Sequence, residues 1–146
     1  MKKPQLSIAE SRPNQDLKTG DLFASPCPSR EIFKHVCSRW GVLILVALRS
    51  GTQRFSEMRR KMEGVSEKML AQSLRALTED GFVLRVSYPV VPPFVEYSLT
   101  PMGEEVAEQV AVLADWIELY LPRVLKARRQ MAVTSEETTA RIAKNG

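Results

Sequence analysis

The chain has 146 residues, 44% of them hydrophobic and 26% charged, with 21 Lys plus Arg against 17 Asp plus Glu. That length suits one domain with a real core and is too short for two ordinary ones, and the composition is normal for a soluble globular protein. No apolar run approaches the roughly 20 residues of a membrane span, and two cysteines with one histidine supply neither a disulfide framework, a Cys/His zinc site nor a catalytic triad.

Residues 1–25 are polar, hold Pro4, Pro13 and Gly20, and lack periodicity, so they read as a flexible arm. The opening Met-Lys-Lys-Pro-Gln has no apolar stretch behind its two lysines. No signal peptide is expected, and the expected compartment is the cytoplasm. The ordered body is placed at 26–130.

Ser29 is suited to cap a first helix, with Arg30 and Glu31 in its first turn. From there Ile32, Phe33, Val36, Trp40, Leu43, Ile44, Ala47 and Leu48 recur at spacings of three and four. Gly41 is the expected break or bend. The β-branched run from Val42 to Ala47 could suit a strand, but its length with flanks and the stop at Gly51 favour a buried helix. Trp40 reads as a core anchor, His35 as a packed or partly exposed histidine, and Cys37 as a small core or interface residue.

After a short extended piece, Gln53–Phe55, Ser56 is expected to cap a short helix running through Met62 and ended by Gly64. Ser66 caps the next, from Glu67 to about Asp80. Leu70, Leu74 and Leu77 form its inner stripe, while Lys68, Gln72, Arg75 and Glu79 point the other way. The period then changes to two. Phe82, Leu84, Val86 and Tyr88 alternate with Val83, Arg85 and Ser87. Beyond a proline-rich tip, Val95, Tyr97 and Leu99 alternate with Glu96 and Ser98, which makes a hairpin. Thr100 followed by Pro101 starts a last helix, whose apolar positions Val106, Val110, Leu113, Ile117, Tyr120, Leu121 and Val124 run for more than five turns. Residues 131–146 are expected to be a flexible, frayed tail, helical in part.

The fold class is therefore mainly α with a small β-hairpin (α+β). Two short helices joined by Glu63-Gly64-Val65 make a helix-turn-helix, and the hairpin after them makes a wing. Charge follows this division. Residues 54–75 carry Arg54, Arg59, Arg60, Lys61, Lys68 and Arg75 against Glu57, Glu63 and Glu67; residues 101–125 carry five acids against Arg123. A basic end beside an acidic one fits a phosphate-facing surface with a separate assembly surface. The N-terminal half of the second helix would read bases, through Ser66, Lys68, Met69, Gln72 and Arg75. Gln suits adenine, and Arg suits guanine. Arg54, Ser56, Arg59, Arg60, Lys61 and Arg85 are assigned to phosphates. Phe94, near the wing tip, receives no DNA contact. Trp116 and Tyr120 at helical spacing read as dimer packing. The acid/base pairs, glycine-rich phosphate loops and metal-spaced clusters of an enzyme are not found, so neither catalysis nor a cofactor is expected. The competing reading is a winged-helix module for protein contact without specific DNA binding.

Several sequence blocks in order resemble the HxlR family of bacterial regulators, a winged-helix group related in shape to MarR. They are Cys27-Pro28, Arg39-Trp40 with Ile44-Leu45, Arg54-Phe55-Ser56-Glu57-Met58, Val65-Ser66-Glu67-Lys68-Met69-Leu70, Leu74-Arg75-Ala76-Leu77, Asp80-Gly81-Phe82, and Val95-Glu96-Tyr97-Ser98-Leu99-Thr100 with Gly103. The resemblance spans residues 27–121. It implies a homodimer joined by N- and C-terminal helices, with Trp116, Ile117, Tyr120, Leu121 and Val124 in the interface, binding inverted repeats in double-stranded DNA. In several members a cysteine at the position of Cys27 senses oxidants or electrophiles, which makes Cys27 the candidate redox sensor and a small-molecule or oxidant effector a further expected partner. Its place just before a helix would favour the thiolate. The sequence departs from the family at Val36-Cys37-Ser38-Arg39 and at Phe94, where a basic residue is common.

Overall fold

A computed structural model of the chain describes residues 22–24 and 27–146. Most of the expected N-terminal arm, with Pro26, lies outside the described residues. The elements are α1 (Pro28–Cys37), α2 (Arg39–Leu48), β1 (Gln53–Arg54), α3 (Phe55–Lys61), α4 (Glu67–Glu79), β2 (Val83–Tyr88), β3 (Phe94–Leu99) and α5 (Pro101–Lys144). The chain divides into two compact units, one ending at Glu108 and the other Gln109–Gly146.

In the first unit, α1 packs on α2 and α4, and α2 packs on α4 and β3. Ile44, Leu45, Met58, Leu70, Leu74 and Leu77 are the fully buried side chains at the centre. Burial of each such side chain contributes about 1.5–3 kcal/mol. Three strands form an antiparallel sheet in the order β1-β3-β2, so the short extended piece expected at Gln53 joins the hairpin as a third strand. Gln53 pairs with Tyr97 and Arg54 with Glu96; Val83 pairs with Leu99 and Tyr88 with Phe94. This register puts Val83, Tyr97 and Leu99 on one face, with Val83 and Tyr97 buried. The apolar set Leu84, Val86 and Tyr88 shares the other face with Arg54, Phe94 and Glu96.

Several local expectations are corrected. The break between α1 and α2 falls at Ser38, whose Oγ accepts from Gly41 N–H at 3.0 Å as the cap of α2. Gly41 lies inside α2, where an added Cβ would sit 2.1 Å from the His35 carbonyl oxygen. The glycine is there for close approach, not to end a helix. Cys27, not Ser29, is the N-cap of α1, because Pro28 already occupies the first turn. Arg54, not Ser56, precedes the first residue of α3. Cys37 is exposed, which removes it from the core and leaves the interface half of its expectation open, and Trp40 is half-buried, with the Arg39 guanidinium 5.9 Å from its ring centroid.

Thr100 ties the hairpin to α5. Its Oγ1 accepts from Gly103 N–H at 3.0 Å and donates to the Gly81 carbonyl at 2.6 Å. Gly81 itself has φ +83, the left-handed conformation expected after α4.

The second unit continues α5 through Lys144, so the stretch expected as a tail is helical over 131–144. Residues 131–144 lack Gly and Pro and are supplied with Ala, Glu and Arg, good helix formers. Thr134, Thr138 and Thr139 hydroxyls donate back to the carbonyls of Gln130, Thr134 and Ser135, which spends their polar groups on the helix itself.

Candidate nucleic-acid interface

The turn between α3 and α4 is held from below. Met62 and Val65 are buried, while Gly64 between them has φ +87, a conformation that side chains rarely adopt. Space is not the constraint at Gly64, because an added Cβ would meet only the Trp40 ring, at 3.9 Å. Ser66 then caps α4, its Oγ accepting from Met69 N–H at 3.1 Å. One lone pair of the Ser66 Oγ is thus used in the cap, and its hydroxyl proton remains available to donate.

Along α4 the two faces separate cleanly. Leu70, Leu74 and Leu77 are buried, whereas Lys68, Met69, Gln72 and Arg75 are exposed. Lys68, Gln72 and Arg75 recur at i, i+4 and i+7, one stripe on the open side. At 1.5 Å per residue, Lys68 to Arg75 covers about 10 Å of helix axis. That is about three base-pair steps of B-DNA at 3.4 Å each.

The other predicted residues lie on β1, α3 and β2. Arg54, Ser56, Arg59, Arg60, Lys61 and Arg85 are all exposed. Arg54, Phe55, Ser56, Arg85 and Phe94 line one open groove of about 390 Å³ between the start of α3 and the wing. Arg59 differs from its neighbours: its Nη1 donates to Glu67 Oε1 at 3.0 Å, bridging α3 to the first turn of α4. Among the described residues, Arg54, Arg60, Lys61, Lys68, Arg75 and Arg85 form no salt bridge.

Sequence reasoning missed the wing's aromatic pair. Phe94 stacks on Tyr88 with ring centroids 4.7 Å apart and 19° between planes, and the Arg54 guanidinium lies 3.9 Å from the Phe94 centroid. The signal was available: Tyr88 and Phe94 flank the tip symmetrically, and a hairpin register pairs them directly.

Cys27 is 5% exposed at the N-terminus of α1, with its Sγ 2.6 Å from Ser29 Oγ. Neither Cys27 nor Cys37 is in a disulfide. Among the described residues no cluster of His, Cys, Asp or Glu could hold a metal ion, and no helix is long and apolar enough to cross a membrane.

In the second unit, Trp116, Ile117, Leu121 and Val124 are exposed and Tyr120 is half-buried. The Trp116 and Tyr120 rings lie 5.0 Å apart, and Arg123 sits 5.3 Å from the Tyr120 centroid.

A helix-turn-helix with an open second helix, followed by a wing, defines a winged-helix DNA-binding regulator, not an enzyme. The HxlR-like helix-turn-helix family model matches residues 35–125, and the chain belongs to that family. It is 71% identical over 119 residues to the uncharacterized HTH-type transcriptional regulator YtfH of Escherichia coli (strain K12), covering 82% of this chain and 94% of that one. The solved structure of ytfH from Salmonella typhimurium is 74% identical with a TM-score of 0.74, covering 75% of this chain and 98% of that one. The redox regulator HypR in its reduced form is 33% identical with a TM-score of 0.61, covering 68% and 98% respectively.

Proposed function

We propose that this regulator binds double-stranded DNA sequence-specifically, as a homodimer on inverted repeats, in the cytoplasm. The observation that carries this reading is the uncovered stripe of Lys68, Gln72 and Arg75 on a helix whose opposite side is sealed by Leu70, Leu74 and Leu77. Side chains able to reach base edges are worth about 1–3 kcal/mol of discrimination per good bidentate pair. Arg54, Arg60, Lys61 and Arg85 supply the phosphate contacts that fix register without reading sequence. Half-sites for such a dimer lie about one helical turn apart, roughly 10 bp centre to centre.

The test compares Arg75→Ala with Arg60→Ala on the operator and on scrambled duplex across a salt series. Arg75→Ala is expected to relax base preference at a cost of about 1–3 kcal/mol. Arg60→Ala is expected to weaken all duplexes alike and to reduce the salt slope by about one. Equal loss on every duplex with Arg75→Ala would reassign it to phosphate. Weak binding by the wild type with a shallow salt dependence would favour the protein-contact module instead.

A redox response through Cys27 is the second part of the reading. It is supported by the position of the thiol at the N-terminus of α1 and by the structural likeness to HypR, a redox regulator. Because Cys27 is buried, an oxidant reaches it only if the start of α1 opens. Diamide or quinone treatment is expected to change operator affinity in the wild type and leave Cys27→Ser unaffected. Modified Cys27 with unchanged affinity removes the idea.

A further inference from the structure

Arg54 belongs to two structures at once. It is the last residue of β1 and the N-cap of α3, so it marks the start of the helix-turn-helix. It pairs with Glu96 of β3, which makes Phe94, two residues earlier on that strand, its diagonal neighbour on the same face. Since β3 is the middle strand, Phe94 stands between Arg54 on β1 and Tyr88 on β2. The distances agree: 3.9 Å from the guanidinium carbon to the Phe94 centroid, and 4.7 Å from there to the Tyr88 ring.

Stacking occupies the flat face of a guanidinium. Its five N–H donors lie in the plane and remain at the edge. Arg54 is exposed and forms no salt bridge among the described residues, so those donors are unspent on acids. An exposed arginine left to itself samples many rotamers, and binding a phosphate must restrict them. A ring beneath it restricts them beforehand, which lowers the cost of that step.

The geometry points to Phe94 as a positioning residue for DNA binding. Backed by Tyr88, its ring holds the Arg54 guanidinium flat with its donor edge turned to a backbone phosphate, and so fixes the wing relative to the start of the helix-turn-helix. This rests on the DNA-binding reading above. The apolar residue at the wing tip thus acts through a cation and makes no phosphate contact of its own.

The experiment measures affinity of the full chain for operator and scrambled duplexes by fluorescence anisotropy over a salt series. Phe94→Leu keeps apolar bulk and removes the π face; it is expected to weaken both duplexes about two- to fivefold, the range of an exposed cation–π contact. Phe94→Trp is expected to restore binding. Arg54→Lys keeps the charge but loses the planar face, and should mimic Phe94→Leu. In an Arg54→Ala background, Phe94→Leu should change nothing further. Wild-type affinity in Phe94→Leu overturns the proposal, as does an equal loss with and without Arg54. A wild type that binds neither duplex overturns the DNA-binding reading and this role together. Binding by the wild type with indifference at Phe94 overturns only the positioning role.

Discussion

His35 and Asp80 hydrogen-bond at 2.6 Å, Nδ1 to Oδ2, across 45 residues of sequence. A carboxylate only accepts, so the imidazole proton in this contact sits on Nδ1. The pair joins the last turn of α1 to the C-cap of α4, with side chains 24% and 15% exposed. An acid at a helix C-terminus opposes the dipole, and a base there complements it. The contact thus offsets an unfavourable placement of Asp80 while setting where α1 lies on the helix proposed to read DNA.

Asp80→Ala should destabilise the fold by about 1–2 kcal/mol, between an exposed pair and a sealed hydrogen bond to a charged group. His35→Ala should cost a similar amount. In the double variant the losses should not add; urea unfolding of all four proteins would measure the coupling. Additive losses would mean that the two side chains act separately.

Gly103 offers a steric test. A Cβ there would lie 1.9 Å from the Phe82 carbonyl oxygen, which also accepts Thr100 N–H at 3.1 Å. Backbone blocks the site, so no side chain can swing aside. Gly103→Ala should cost about 3 kcal/mol, at the upper end of overpacking penalties, by forcing α5 away from the start of β2. A thermal unfolding midpoint close to wild type would show that the helix start shifts without strain.

How much of this could be read beforehand depended on whether a residue had one physical role or two. The stripe Leu70, Leu74, Leu77 and the caps Ser66 and Thr100 have a single reading each, and the structure keeps them. Gly41 had two, breaker or close-contact residue, and the Cβ position of 2.1 Å from His35 O decides for the second. Serines near helix starts were ambiguous in the same way: Ser38 caps, while Ser29 and Ser56 lie one or more residues inside. Phe94 had no local reading at all. Its role needs Arg54, 40 positions earlier, and the register that places both on one face.

Arg59 is the basic residue of α3 already held by an acid. Its bridge to Glu67, with side chains 49% and 68% exposed, is open to solvent and of small worth to stability. Its effect on the proposed DNA contacts should be larger, because it occupies a cation beside the helix proposed to read bases. Glu67→Gln should release Arg59, raise affinity on all duplexes and steepen the salt slope by about one. In the wild type, Arg59→Ala should cost less than Arg60→Ala. Unchanged slope in Glu67→Gln would mean that Arg59 faces no phosphate even when freed.

Trp116, Ile117, Tyr120, Leu121 and Val124 recur at spacings of three and one along α5, the pattern of a helix face meant for another helix. In the single chain this face is open: Trp116 is 51% and Ile117 47% exposed. Exposed apolar area of that kind marks an interaction surface, and large aromatic side chains on such a surface are where binding energy concentrates. Trp116→Lys should therefore weaken self-association by about 2 kcal/mol or more, roughly a thirtyfold shift toward monomer. Ile117→Lys should act in the same direction, and both should leave the fold intact, because neither side chain is in the first unit's core. Sedimentation at micromolar concentration checks this. A wild type that sediments as a monomer, or variants that dimerise as well as it does, would place any second copy elsewhere on the chain.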